Sequence, residues 1–298
     1  MQITDRIHAI RLPFTIPVRP GLTLERFVYA YLIAGKRLCL IDCGVAASAP
    51  AILDAVRSLG RTPGDVAMAV ITHAHPDHIG GAAAIREATG CIVAAHVDDA
   101  PWIQDVERQN AERPVPGFHA LVGGAVKIDR LLWDGESIDV PGVPALRVIH
   151  TPGHSRGHIA LFDEAEGALF SGDSIPVPGG LPIYDDVLAS IQSLKTLAEV
   201  TGLRVLLSSW DEPRVNAAAY ARIDEGFAYI QRVHDLVREE TQAQPAATAM
   251  ETAVRVVKRL GLPEAAVNPL VARTIEAHRR VMVYRDLKTG AAAPPPRM

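Results

Sequence analysis

Three imidazoles and a carboxylate fall within a six-residue span of the stretch VITHAHPDHIGGA: His73, His75, Asp77 and His78. Neutral imidazole is a ligand for zinc and iron, and carboxylate supplies balancing charge. Residues two apart in an extended segment point the same way, so His73 and His75 can reach one cation, while the turn at Pro76 swings Asp77 and His78 toward a second position. The alternative is a loop whose histidines merely face solvent. Four ligand-type side chains at the mouth of a buried strand are costly to keep together without a cation, which favours the metal. Two later stretches add ligand types. HTPGHSRGH follows the apolar run ALRVI and brings His154 in a glycine-flanked loop that can turn closely around an ion. SGDS follows GALF and brings Asp173, a carboxylate able to bridge two metals. His150 and His158, flanking His154, read as groups that hold the loop rather than the ion. His8, His96, His234 and His278 take no metal role, nor does His119, the one histidine read as a candidate substrate contact.

These loops need strands to carry them. ERFVYAYLIAG and KRLCLIDCG read as two strands meeting at Gly35-Lys36, followed by a helix from Ser48 to Leu59 with Pro50 in its first turn and Gly60 after its end. VAMAVIT is a short buried strand ending at the histidine cluster. A helix over IGGAAAIREATG and a strand CIVAAHV repeat the pattern, and a loop-rich excursion from Pro101 to Gly124 then interrupts it, as segments serving a site often do. Strands are expected at VKIDRLLW, ALRVIHT, HIALFD, GALFSGD and RVLLSSW, with a helix from Asp185 to Val200 before the last. Hairpins mixed with helical crossovers indicate an α+β layered sandwich with loops clustered at one edge. After Pro213, Tyr220, Ile223, Phe227, Ile230, Val233 and Val237 recur at helical spacing, and helices follow over 249–260 and 267–282. The reading is a catalytic domain over 1–212 and a helical appendix over 213–298 ending in a disordered tail, GAAAPPPRM.

The 298 residues are 48% hydrophobic and 21% charged, the composition of an ordinary folded chain. A net charge of -4 gives no general attraction to nucleic acid or anionic membrane, although the last 48 residues hold nine Lys/Arg against four Asp/Glu. No run approaches a membrane span and the N-terminus lacks a signal-peptide layout, so a cytoplasmic protein is expected. Cys39, Cys43 and Cys91 are too few for a disulfide framework and read as buried and inert.

THAHPDH, TPGHSRGH and SGDS, in that order and after LIDCG, closely resemble the motifs of the metallo-β-lactamase superfamily, H-x-H-x-D-H, then a distant His, then a distant Asp. The resemblance covers roughly residues 20 to 212. It implies a four-layer αββα sandwich with a dinuclear site at its edge, filled by two divalent ions, zinc first and iron or manganese as alternatives. By the same resemblance His73, His75 and His154 hold one metal, Asp77 and His78 the second, and Asp173 bridges. Asp42 in LIDCG is either an outer carboxylate that orients the ligand loop or a strand-end cap.

The family usually closes its second site with a histidine after the last strand, where this chain reads LLSSWDEPR. Asp211 or Glu212 replaces it, the second site is weak or empty, or Trp210 walls the pocket while water completes the coordination; Asp211 is the favoured ligand. Bound metal lowers the pKa of its water from about 15.7 to about 7, so hydroxide can attack an ester, lactone, thioester or amide carbonyl without a protein base. The expected function is therefore metal-dependent hydrolysis of a small-molecule substrate, as in the glyoxalase II and lactonase branches, with His73, His75 and Asp77 at the reaction centre. A mononuclear-iron persulfide dioxygenase is the alternative. Nucleic-acid processing is a third reading, resting on RVVKRLG and EAHRRVMVYRDLK, but solvated helix faces explain those charges better. The appendix helices are expected to cover the active-site edge or to form a dimer surface.

Overall fold

A computed structural model describes residues 1–19 and 22–292. Contacts divide the chain into two units. Met1–His150, Ser155–Asp173 and Gly202–Asn216 form the first; Thr151–His154, Ser174–Thr201 and the chain from Ala217 onward form the second. The last passage between them falls close to the composition change at Pro213.

In the first unit the described residues form two six-stranded sheets. One runs in spatial order through β1 (Ile7–Arg19), β2 (Leu22–Ala34), β3 (Leu38–Ile41), β4 (Val66–Ile71), β5 (Ile92–His96) and β6 (Arg130–Leu132). It is antiparallel from β1 to β3 and parallel from β3 to β6. The other contains β7 (Ser137–Ile138), β8 (Leu146–His150), β9 (Ile159–Asp163), β10 (Ala168–Gly172), β11 (Val205–Ser208) and β12 (Arg214–Val215), with β10 and β11 its parallel pair. Side chains alternate across a strand, and the two cores follow that period of two. Tyr29, Tyr31, Ile33, Cys39, Ile41, Met68, Val70 and Ala94 face Leu146, Val148, Ile159, Leu161, Phe170 and Leu207 of the second sheet. Their neighbours Ala30, Leu32, Leu38, Leu40, Ala69, Ile71, Val93 and Ala95 pack on the opposite side. There they meet Ile52 and Val56 of α1 (Ala49–Ser58), Ala82 and Ile85 of α3 (Ala82–Thr89), and Ile103 of α4 (Ala100–Gln104). The short α2 (Pro76–Ile79) lies between α1 and α3 in the chain. The three cysteines are free and buried, as expected of small core side chains.

Two elements differ from the sequence reading. β1 was not anticipated because Pro13 and Pro17 interrupt its pattern; as the edge strand it can spare ladder donors, and it pairs with β2 from Ile7 to Arg19. The excursion after Pro101 is largely helical, containing α4, α5 (Val106–Glu112) and α6 (Phe118–Leu121). Pro101 sits in the first turn of α4, where no N–H is needed, and the Asp105 side chain caps α5 by accepting from Arg108 N at 3.0 Å. Proline and glycine there punctuate short helices instead of preventing them.

The second unit is helical: α7 (Val187–Ala198), α8 (Ala217–Ala243), α9 (Ala249–Arg259) and α10 (Pro269–Arg280). Val233, Leu236 and Val237 of α8 pack with Ala253, Val256 and Val257 of α9 and with Val271 and Ile275 of α10. Thr248 and Glu251 form a reciprocal capping box that starts α9, and Asn268 caps α10 ahead of Pro269. The expected disordered tail begins as structure, because β14 (Ala291–Ala292) pairs with β13 (Tyr284–Asp286); residues 293–298 lie outside the described residues. No described helix is long and apolar enough to cross a membrane.

Inside this unit runs a buried polar chain. His234 Nε2 donates to the Tyr284 carbonyl at 2.9 Å, so in the neutral ring Nδ1 is an acceptor. His278 Nδ1 then donates to it at 3.1 Å, and His278 Nε2 accepts from the Tyr184 hydroxyl at 2.7 Å. Every atom is satisfied only while both rings are neutral. Burial lowers the pKa of each, with the other ring adding to the effect at His278; beside His234, Arg238 opposes its protonation and Asp235 favours it. The folded form therefore binds fewer protons than the unfolded chain, and this stability is present above about pH 6.5 and lost as pH falls below it. Urea unfolding followed by circular dichroism is expected to give a lower midpoint at about pH 5 than at about pH 7.5, with a smaller difference in a His234→Gln, His278→Gln double variant. Equal pH dependence in both proteins would remove the histidine pair as its cause.

Candidate metal centre

The first histidine of the motif lies two residues beyond the end of β4. His73 and His75 lie in the extended link, and Pro76 starts α2, whose first turn carries Asp77 and His78. The rings of His73 and His75 are 4.5 Å apart and those of His73 and His78 3.9 Å apart, all three buried. Asp173, one residue after β10, completes a cluster with His73 and His78 in which one ligand atom from each lies within 4.8 Å of the others. Its Oδ1 is 3.4 Å from His78 Nε2 and its Oδ2 is 3.9 Å from His73 Nε2. Asp77 Oδ2 is also 3.4 Å from His78 Nε2.

Asp42 of LIDCG follows β3 and reaches the histidine motif. Its backbone adopts φ 60°, a left-handed conformation that costs a non-glycine residue on the order of 1–2 kcal/mol. In return the carboxylate accepts from Thr72 N, Thr72 Oγ1 and His78 Nδ1, each at 2.8 Å. It sets both the end of β4 and the orientation of His78. With Nδ1–H donated to Asp42, the Nε2 of a neutral His78 presents a lone pair to two carboxylates, and this buried atom makes no hydrogen bond of ordinary geometry. Burial disfavours charging the ring, but Asp173, Asp42 and Asp77 together outweigh it and raise its pKa well above the usual value. Either a proton or a cation satisfies that arrangement, and two imidazoles with neighbouring carboxylates are a donor set that fits a divalent ion.

The loops are tied together by a residue not singled out from the sequence. Asp99, at the start of α4, spends its side chain on Ala74 N (2.8 Å), Ser155 Oγ (2.7 Å) and Gly157 N (2.7 Å) instead of capping its helix. It therefore joins the peptide between His73 and His75 to the loop following His154. Gln109 of α5 donates to the Ala74 carbonyl. The Asp-Asp-Ala-Pro stretch after β5 carried a helix-start signal, but nothing local indicated that its carboxylate would serve distant loops. His158 also has a structural task, since its Nε2 accepts from Asp173 N at 3.0 Å. Gly172, at φ 51°, permits that approach, because a Cβ there would stand 2.6 Å from His158 Nε2.

His154 belongs to the second unit, where its Nδ1 donates to the Ile183 carbonyl at 2.7 Å and leaves Nε2 as the lone-pair nitrogen. Asp211, the favoured last ligand, is engaged elsewhere: Arg214 grips its carboxylate at 3.1 and 3.0 Å. Glu212 accepts from the Tyr29 hydroxyl at 2.8 Å. Neither joins a ligand cluster among the described residues. Trp210 instead reaches the site, its Nε1 donating to Asp173 Oδ2 at 3.0 Å. His96 and His150 stack 4.2 Å apart at 9°, with Asp98 nearby; near-parallel rings direct their in-plane lone pairs alongside each other rather than at one ion. His119 stands exposed on α6.

The family model described as the metallo-beta-lactamase superfamily matches residues 23–210. A hydroxyacylglutathione hydrolase of Methylococcus capsulatus is 28% identical over 274 residues, covering 86% of this chain and 94% of that protein. The acyl-coenzyme A thioesterase MBLAC2 of Gallus gallus is 35% identical over 161 residues, 49% of this chain and 56% of that protein. Among solved structures, a metallo-beta-lactamase family protein from Thermus thermophilus aligns with TM-score 0.71 at 23% identity over 92% of each chain. The metallo-β-lactamase MIM-1 from Novosphingobium pentaromativorans aligns with TM-score 0.58 at 26% identity, covering 74% of this chain and 86% of its own. With its α+β sandwich and the histidine–aspartate cluster at the strand ends, the chain belongs to the metallo-β-lactamase superfamily.

Proposed function

We propose that this enzyme is a metal-dependent hydrolase of small thioesters, with His73, His75 and His154 as the imidazole ligands of one divalent ion, Asp77 and His78 as groups for a second, and Asp173 between the two positions. The observation that carries the reading is the buried cluster of His73, His78 and Asp173, in which the Nε2 of His78 is held toward carboxylates by the Asp42 bond. The thioester preference is supported by the hydroxyacylglutathione hydrolase and acyl-coenzyme A thioesterase relatives. Asp211 is left out of the proposed ligands because Arg214 already holds its carboxylate.

A divalent ion, when bound, supplies acidified water and polarises a carbonyl oxygen. The chain supplies position and charge. Asp77, whose side chain is 17% exposed, is the accessible carboxylate of the histidine motif and would orient the attacking water by accepting its proton in a hydrogen bond at Oδ2. Asp42 fixes the His78 tautomer so that Nε2 keeps its lone pair. Asp99 and Gln109 hold the Ala74 peptide, and with it the spacing of His73 and His75. No serine or cysteine nucleophile is needed.

Thiol release from acyl-glutathione, acyl-coenzyme A and a simple thioester is the direct test. Asp77→Asn is expected to lower kcat/KM by about a hundredfold or more for whichever substrate is turned over, and a chelator to abolish turnover until zinc, manganese or ferrous iron is returned. Full activity in the Asp77→Asn protein, or in protein shown to be free of metal, would end this reading. Asp42→Asn is expected to leave the fold intact by circular dichroism but to weaken metal affinity by about tenfold to a hundredfold. Unchanged affinity would reduce Asp42 to a strand-end cap.

A further inference from the structure

The proposed centre is unevenly furnished, and Trp210 is the reason. An indole nitrogen is a donor only and has no lone pair to offer a cation. It stands where the superfamily pattern calls for a final imidazole, and the neighbouring carboxylates that could have compensated are committed to Arg214 and Tyr29. Trp210 Nε1 donates to Asp173 Oδ2, the oxygen that faces His73, while Oδ1 faces His78. That bond lies on the oxygen turned toward His73 and leaves Oδ1 toward His78, but the charge it draws is shared by both oxygens of the carboxylate, which weakens Asp173 as a ligand common to two ions.

The direction of the indole is set by the surrounding structure. Its ring makes an edge contact with Phe14 of β1 at 6.0 Å and 66°, and a tilted contact with Phe27 of β2 at 6.4 Å and 46°. The chain just before it is pinned by three bonds. Tyr29 N donates to the Ser209 carbonyl at 2.8 Å, the Tyr31 hydroxyl to the Ser208 carbonyl at 2.7 Å, and Ser209 N to the Gly172 carbonyl at 3.2 Å. The β1–β2 hairpin thus holds Trp210 with its N–H toward Asp173.

We infer that Trp210 is a positioning residue that suppresses the second metal position, so that the protein retains one divalent ion firmly and a second only weakly. This rests on the proposed metal centre and adds to it the number of ions held. The second position has only Asp77, His78 and Oδ1 of a carboxylate whose other oxygen the indole engages, with no ligand where Trp210 stands.

Zinc content and stepwise affinity test it without reference to turnover. The 298-residue chain is loaded with zinc, dialysed against metal-free buffer and analysed by mass spectrometry for metal per chain, then titrated against a chromophoric chelator. The wild-type protein is expected to retain one zinc, with a second bound about a hundredfold or more weaker, and Trp210→His to retain two with affinities within about tenfold. Trp210→Phe, which removes the N–H without supplying a ligand, is expected to retain one and to bind the second more tightly than wild type. Two firmly held ions in the wild type would overturn the inference, as would a single ion in a Trp210→His variant whose near-ultraviolet circular dichroism shows it folded. If Trp210→His does not fold, wild-type stoichiometry and the Trp210→Phe titration decide the question. His73→Ala separates the two levels: loss of the firm ion upholds the metal centre even if Trp210 proves irrelevant, whereas wild-type protein that retains no zinc removes both.

Discussion

Three carboxylates converge on one buried imidazole, and the rest of the site is organised to tolerate that convergence. Asp42 binds the Nδ1 side of His78, while Asp77 and Asp173 approach its Nε2. Such a concentration of negative charge in a buried place is unfavourable unless positive charge offsets it, because the weakly polarisable surroundings leave little else to screen it. In the apo protein a proton on His78 can serve. A divalent cation would offset the same charge, which is why these groups read both as a source of instability and as a candidate metal site.

The fold holds these charges by placing every contributor at a strand end or just beyond it. Asp42 follows β3, the histidine motif follows β4, Asp99 follows β5, Asp173 follows β10 and Trp210 follows β11. The strands are hydrogen-bonded into sheets whose faces share a dense apolar core, so their ends are fixed relative to one another more tightly than loops could fix themselves. Asp99 then links two of the loops directly. Sheet registers set coarse positions, and a few buried carboxylates refine them to hydrogen-bonding distance.

Much of this was legible from residue order. Short runs rich in apolar, β-branched and aromatic residues located β2 to β5 and β8 to β11, and the expected helices near 48–59, 185–200, 249–260 and 267–282 correspond to α1, α7, α9 and α10 within a few residues. Where residue order and structure differ, the missing information is tertiary. β1 is hidden in the sequence because Pro13 and Pro17 break a strand pattern only if the strand needs every donor, and its edge position is not visible in the chain. The excursion after Pro101 looks irregular in sequence because its helices are short and their caps, such as Asp105 on Arg108 N, carry more of the signal than any apolar periodicity. Adjacency in sequence offers Asp211 as a ligand and cannot reveal that Arg214, three residues on, holds its carboxylate.

By itself the sequence determined the chemistry on offer: which side chains could meet a cation, in what order they follow the strands, and that an indole stands where an imidazole was expected. Those are properties of residue type and short spacing, which the chain carries whether folded or not. Only the tertiary structure decided how the groups are spent. It directed Asp42 to His78, Asp99 to two separate loops, Asp211 to Arg214 and the Trp210 N–H to Asp173. Each of these depends on which lone pair faces which donor across a packed core, a matter of ångströms set by sheet register and side-chain packing and not by separation along the chain.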